Sequence, residues 1–184
     1  MTDMPDALSV AKEIIDFLAR LADESERAAV VMGVALVDES LEDALVKLLL
    51  PAKTNPDELF APDRPVGSFG ARIRLAYRLG LVDDEFCSVL SMLRRIRNDF
   101  AHSAETKTLK DQEHFSRVCQ MKSYASTTGI WETLVEATRP FIFSEILTDF
   151  IATIAVMVTC LKYLKGNLER IQLNNHASFK WNIV

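Results

Sequence analysis

Apolar and polar residues alternate along most of the chain with the period of a helix. From Ala7 to Leu21 the apolar positions Leu8, Ala11, Ile14, Ile15, Leu18 and Leu21 recur three and four apart, which lays one apolar stripe along a first helix. Ser25 is a good N-cap for a second helix reaching about Leu50, and Pro51, which cannot donate a backbone hydrogen bond, stops it. The first half of this second helix, Ala28 to Val37, is apolar nearly all round and predicts a place in the middle of a bundle. The second half sets Asp38, Glu39, Glu42 and Asp43 against Leu41, Leu45, Leu48 and Leu49. Residues 51–66 hold Pro51, Pro56, Pro62 and Pro65, and predict the longest irregular connection, with one short turn at Asp57 to Phe60.

A third helix is predicted from the cap Ser68 through Ile73, Leu75, Ala76 and Leu79 to Gly80, a residue suited to a left-handed C-terminal turn. The fourth follows Asp83, with Asp84 and Glu85 at its positive end and a core face of Phe86, Val89, Leu90, Leu93, Ile96 and Phe100. Further helices are expected from about Lys107 to Tyr124, from Trp131 to Thr138, and over a long apolar stretch ending near Lys165 and Gly166. Residues 167–184 are expected as a loose tail. The apolar segment Phe141 to Leu164 is interrupted by Glu145 and Asp149, and its charge-free part, Phe150 to Leu161, is too short for a bilayer. It reads as a buried core helix, and no membrane partner is expected. The pattern as a whole predicts a single all-α domain over residues 1–184, a bundle of about six to eight helices centred on the second, fourth and long C-terminal helices. Its core should include Val30, Val34, Leu41, Leu45, Leu90, Leu93, Ile96, Phe150, Ile154 and Val158.

Composition sharpens this picture. With 49% hydrophobic and 26% charged residues the chain is too apolar to be disordered throughout. Six glycines and six prolines are too few for the tight turns of a sandwich or barrel. Charge is uneven: residues 1–63 carry 5 basic and 14 acidic side chains, residues 64–102 carry 7 and 4, and residues 103–184 carry 9 and 8. A pI near 5.3 argues against a chain that neutralises nucleic-acid phosphates over its whole surface, while leaving room for a local basic face. Cys87, Cys119 and Cys160 are far apart and match neither a metal-ligand spacing nor a disulfide framework. Asp3, Asp6, Glu13 and Asp16 occupy positions where a secretory leader would be basic and then apolar, so a reducing cytoplasm is the expected setting.

The densest chemistry lies at Arg94-Arg95-Ile96-Arg97-Asn98-Asp99-Phe100-Ala101-His102. On a helix Arg94, Asn98 and His102 fall on one face, away from Leu93, Ile96 and Phe100. As a functional site this would act on a phosphodiester, with His102 moving a proton, Arg97 or Arg94 stabilising developing charge and Asn98 orienting the scissile group. As structure, the arginines would pair with the acidic second helix while Asn98 and His102 hydrogen-bond backbone where the fourth helix ends. Structural polar networks outnumber active sites, which favours the second account.

Arg97 to His102 fits the RxxxxH pattern, with a polar residue directly after the arginine, and so resembles HEPN domains. That resemblance implies an all-helical, often dimeric module, in many cases a metal-independent ribonuclease with Arg97 and His102 catalytic and Asn98 in support. A longer series is similar to the mannitol operon repressor family: Glu26-Arg27-Ala28-Ala29, Leu41-Glu42-Asp43-Ala44-Leu45, Phe60 to Pro65, Gly67 to Ile73, Tyr77-Arg78-Leu79-Gly80-Leu81, and Leu93 to His102. This likeness covers about residues 25–105. It implies a cytoplasmic bacterial, all-helical transcriptional repressor of mannitol uptake and use, without an evident helix-turn-helix and without a cofactor.

The third and fourth helices do not make a convincing DNA reader, since a recognition helix presents its N-terminal part to the groove and here that part is Asp83-Asp84-Glu85. Arg72, Arg74, Arg78, Arg94 and Arg95 read as a surface for a partner, in part paired internally with the acidic residues. Asp38, Glu39, Glu42 and Asp43, with Arg97, read as a structural ion-pair network rather than a metal site, because no second element supplies recognisable ligands. The expected partners are another transcription factor or regulatory protein, DNA weakly or indirectly, and a second copy of the chain. Gly67-Ser68-Phe69-Gly70 reads as a tight turn into the third helix and not a phosphate loop, for it lacks a preceding strand and a lysine. His114 and His176 read as surface residues. A third class, a sensor binding a sugar phosphate at the arginine-rich face, is allowed by charge alone.

Overall fold

The computed structural model describes residues 4–53, 57–103, 106–141 and 144–171. Over these the chain forms α1 (Met4–Glu24), α2 (Glu26–Leu48), α3 (Phe69–Arg78), α4 (Asp84–His102), α5 (Gln112–Ala125), α6 (Trp131–Thr138) and α7 (Glu145–Asn167), with short 3₁₀ turns at Glu58–Phe60 and Arg139–Phe141. No strand occurs among the described residues, and the fold is an all-α helical bundle. The expected tail lies outside the described residues from 172 onward, and His176 with it.

The local signals act as their chemistry requires. Ser25 Oγ accepts from the Ala28 amide, Ser68 Oγ from Ala71 and Asp83 Oδ1 from Phe86, so each of α2, α3 and α4 starts with one orphan amide satisfied. α3 ends at Gly80, whose φ of 68° is left-handed; the Leu81 amide donates back to the Ala76 carbonyl and the Gly80 amide to Tyr77. In the proline-rich connection, Gly67 lies so close to the preceding turn that a Cβ there would stand 2.1 Å from the Ala61 carbonyl oxygen. This segment is a closed turn, unlike a phosphate-cradling loop.

All ten residues expected in the core are buried. The centre, however, is α7 with α2. α7 packs against α1, α2, α5 and α6, whereas α4 packs chiefly on α2, α3 and α5, so the fourth helix belongs to one flank and not to the middle. α7 is long and apolar enough to span a membrane by composition, yet 83% of that window is buried inside the bundle. Nearly every residue from Ile146 to Thr159 is inaccessible, polar Thr148, Asp149, Thr153 and Thr159 included. The three threonines donate to carbonyls one turn back, which removes the cost of burying their hydroxyls.

α5 begins five residues later than its apolar pattern predicts. Thr108 and Asp111 build a turn first: the Asp111 amide donates to the Thr108 carbonyl and the Thr108 amide to Asp111 Oδ2. Leu109, within this turn, is fully buried and anchors it to the core.

Candidate functional site

The arginines of α3 and α4 separate into three environments. Arg72 is internal. Its Nη1 lies 2.7 Å from Asp38 Oδ1 and its Nη2 2.6 Å from Glu42 Oε2, both across the α2–α3 contact, and the residue is 9% exposed. It therefore belongs to the ion-pair network and leaves the partner surface on which its sequence neighbours place it. Burial pushes the Glu42 carboxyl upward; Arg72 opposes this and Asp38, Asp43 and Glu39 reinforce it. Asp43 reaches a different cation, Lys165 of α7, at 2.5 Å. Glu39 makes no ion pair among the described residues.

Arg74, Arg78 and Arg94 form the second group. Arg74 and Arg78 are exposed one turn apart on α3, and Arg94 reaches over from α4 to lie across Gly70, where its Cδ and Nη1 fill the space a side chain would take. None of the three has a carboxylate within ion-pair distance among the described residues. Beside them Tyr77 and Leu79 are also exposed, at 43% and 38%. Arg95 is apart from this stripe, in the groove between α4 and α5 with Met92, Ser116, Arg117 and Gln120.

Arg97, Asn98 and His102 are only partly brought together. Arg97 Nη1 donates to Asn98 Oδ1 at 3.1 Å, and the Arg97 side chain also lines a cleft of about 310 Å³ with Asp38, Glu39, Glu42, Asp43 and Arg72. It makes no ion pair with those carboxylates, so within the expected network it is a neighbour and Arg72 is the member that binds. Asn98 and His102 face another cleft, of about 720 Å³, formed by the end of α4, the connection after it and the start of α5. His102 is exposed in the last turn of α4.

Among the described residues, neither Asn98 nor His102 holds the backbone at this helix end. Arg27 Nη2 donates to the Ala101 carbonyl at 2.9 Å and Nη1 to the Ser103 carbonyl at 3.4 Å, while Glu26 Oε1 accepts from the Leu109 amide at 2.7 Å. Two adjacent residues at the start of α2 thus tie down both ends of the α4–α5 connection. His114 departs most from expectation, being 4% exposed and not on the surface. Its ring packs on Phe100 with centroids 5.3 Å apart, and Arg117 Nη1 lies 3.4 Å from its Nδ1 and 3.2 Å from Asp99 Oδ2. The signal was present in the spacing: His114, Val118, Met121 and Ala125 form a single buried stripe at helical intervals.

Cys87 and Cys160 are half-buried, and burial raises both thiols, so neither is an activated nucleophile. No group of three or more His, Cys, Asp or Glu residues among those described is placed to hold a metal ion. The chain matches no family model, no curated protein and no solved structure.

Proposed function

We propose that this protein is a transcriptional regulator of the mannitol-operon type that works by docking another protein, with DNA contacted weakly or through that partner. The observation that carries the reading is the stripe of Arg74, Arg78 and Arg94 around exposed Tyr77 and Leu79. Arginine and tyrosine are the side chains most enriched at protein interfaces, and guanidinium groups without internal carboxylates remain available to an acidic partner. DNA reading by α3 and α4 is disfavoured, since the N-terminus of α4 presents Asp83, Asp84 and Glu85 and would repel phosphates.

The test is a reporter driven by a mannitol-operon promoter, compared in cells carrying the parent or Arg74→Glu/Arg78→Glu. The parent represses and the folded variant does not. Equal repression by both removes the docking face, and full, salt-sensitive operator binding by the purified protein alone removes the partner dependence. A second reading, an HEPN-like ribonuclease, is favoured by one observation: Arg97 holds Asn98, and Asn98 shares a cleft with His102.

A further inference from the structure

A further cleft, of about 370 Å³, is built by α5, by α6 with the 3₁₀ turn after it, and by the first turns of α7. It contains none of the residues of the arginine stripe or of the Arg97 to His102 segment. Trp131 and Val135 of α6 give it apolar surface, and Lys122 of α5 meets Asp149 of α7 within it.

Two polar atoms in this cleft lack a partner. Trp131 is 4% exposed, and its indole N–H, the only polar group of the side chain, makes no hydrogen bond among the described residues. Asp149 is 7% exposed and accepts from Lys122 Nζ on Oδ2 at 2.8 Å, while its Oδ1 accepts from no described residue. Neither atom is walled in. Among the described residues that are not exposed, Arg72 Nε is the one side-chain nitrogen or oxygen both unpartnered and sealed from solvent. The indole N–H and Asp149 Oδ1 therefore open outward, and this cleft is the space that both residues line. A buried indole N–H ordinarily has an acceptor, and a deep carboxylate oxygen costs free energy until a donor reaches it.

Charge narrows the occupant. The Lys122 ammonium and the Asp149 carboxylate balance each other. At the edge Glu132 and Glu145 are exposed and make no ion pair among the described residues, whereas Arg139 is taken by Glu136. An anion would meet three carboxylates here. A cation would find those carboxylates but could accept nothing from the indole N–H and would face the Lys122 ammonium. A hydroxyl accepts and donates at once and brings no charge. We propose that this cleft binds a small neutral polyol through neighbouring hydroxyls, one accepting from Trp131 Nε1–H and another donating to Asp149 Oδ1, with the carbon chain against Trp131 and Val135. The volume is at the small end of ligand sites, which suits a compound of a few carbons. The proposal rests on neither functional reading given above.

Sorbitol is the probe, titrated against the full chain and followed by NMR, with trimethylamine N-oxide at the same osmolality as the control for general solution effects. The Trp131 indole N–H signal and the Asp149 amide signal move and saturate with sorbitol and not with the control, and carbon-bound protons of sorbitol show an intermolecular NOE to the Trp131 indole proton. No saturable shift, or an equal shift in the control, overturns the proposal. Trp131→Phe keeps an aromatic ring on the wall and removes the N–H. Folded by circular dichroism, this variant binds sorbitol about fivefold more weakly, the loss of one neutral hydrogen bond. Unchanged affinity in the folded variant overturns the proposal, and where the variant does not fold the NOE in the parent decides, its absence rejecting the site. Putrescine, a diammonium without hydroxyls, and inorganic phosphate leave the signals in place; if either saturates them and sorbitol does not, the cleft takes an ion and the polyol assignment is lost.

Discussion

Arg27, at the start of α2, donates from Nη2 to the carbonyl of Ala101 at 2.9 Å and so caps the end of α4 from 74 residues earlier in the chain. Arg27→Ala frees two carbonyls at an exposed helix end, and the expected loss of stability is about 1 kcal/mol. The effect is local as well as global: hydrogen exchange speeds up at residues 101–103 and 106–110 before it does in α7. Uniform acceleration over the whole chain would show that the cap is not what holds this connection.

Arg72 binds two carboxylates while itself buried, so its removal strands them. Arg72→Ala is expected to cost about 2 to 3 kcal/mol, less than a fully sealed pair would lose because Glu42 remains partly solvated. The triple variant Arg72→Met/Asp38→Asn/Glu42→Gln removes the stranded charges and recovers most of that loss in chemical denaturation. Failure to recover would mean that the pairing geometry itself, and not uncompensated charge, is the stabilising element.

His102 is exposed and accepts no structural duty from the described residues around it, so His102→Ala should change stability by less than about 0.5 kcal/mol. An RNA-cleavage assay in EDTA with the parent and the Arg97→Ala/His102→Ala variant separates the two functional readings. The regulator gives no cleavage in either. Cleavage by the parent that disappears in the folded variant replaces the regulator with a ribonuclease.

Lys122 of α5 donates to Asp149 of the buried α7 at 2.8 Å, and that hydrogen bond is the main reason its ammonium pKa is raised above 10.5. Between the ordinary and the raised value the folded protein binds more protons than the unfolded one, so this contribution is complete below the ordinary lysine range and is lost as pH rises through the folded value. Burial raises the Tyr124 phenol, with the same sign. Melting temperatures should therefore fall between about pH 9 and 12. Asp149→Asn lowers the melting temperature at neutral pH and flattens the lysine share of the alkaline decline; an unchanged slope would assign the decline to the buried phenol and the two half-buried thiols.

How much of this was legible in the sequence differs by the kind of interaction. The α4 stripe and the caps Ser25, Ser68 and Asp83 are local, and a helical period or a single side chain next to its own amide is enough to read them. The late start of α5 was hidden because Lys107 to Gln112 holds no proline or glycine to stop a helix, while the competing Thr108–Asp111 turn depends on which local hydrogen bonds form. The pairing of acidic α2 with an arginine was foreseeable as chemistry; that Arg72 takes the carboxylates while Arg74 and Arg78 stay free follows from which residue of α3 faces α2. The roles of Arg27 and Glu26 are invisible in the sequence, because nothing along the chain says that residues near position 26 meet residues 101–109. The split of Arg97 and His102 between two clefts belongs to the same class.

The position of α7 also bears on how the molecule is made. α1, α2, α5 and α6 all bury their apolar faces against it, and among the described helices it is the last to be synthesised. A ribosome-bound chain lacking residues 145–167 therefore displays several unmatched apolar stripes and has little with which to cover them. Productive collapse waits until α7 has left the ribosome. During that interval the nascent chain is a natural client for holding chaperones, and a premature stop before α7 yields an aggregating fragment rather than a smaller working protein.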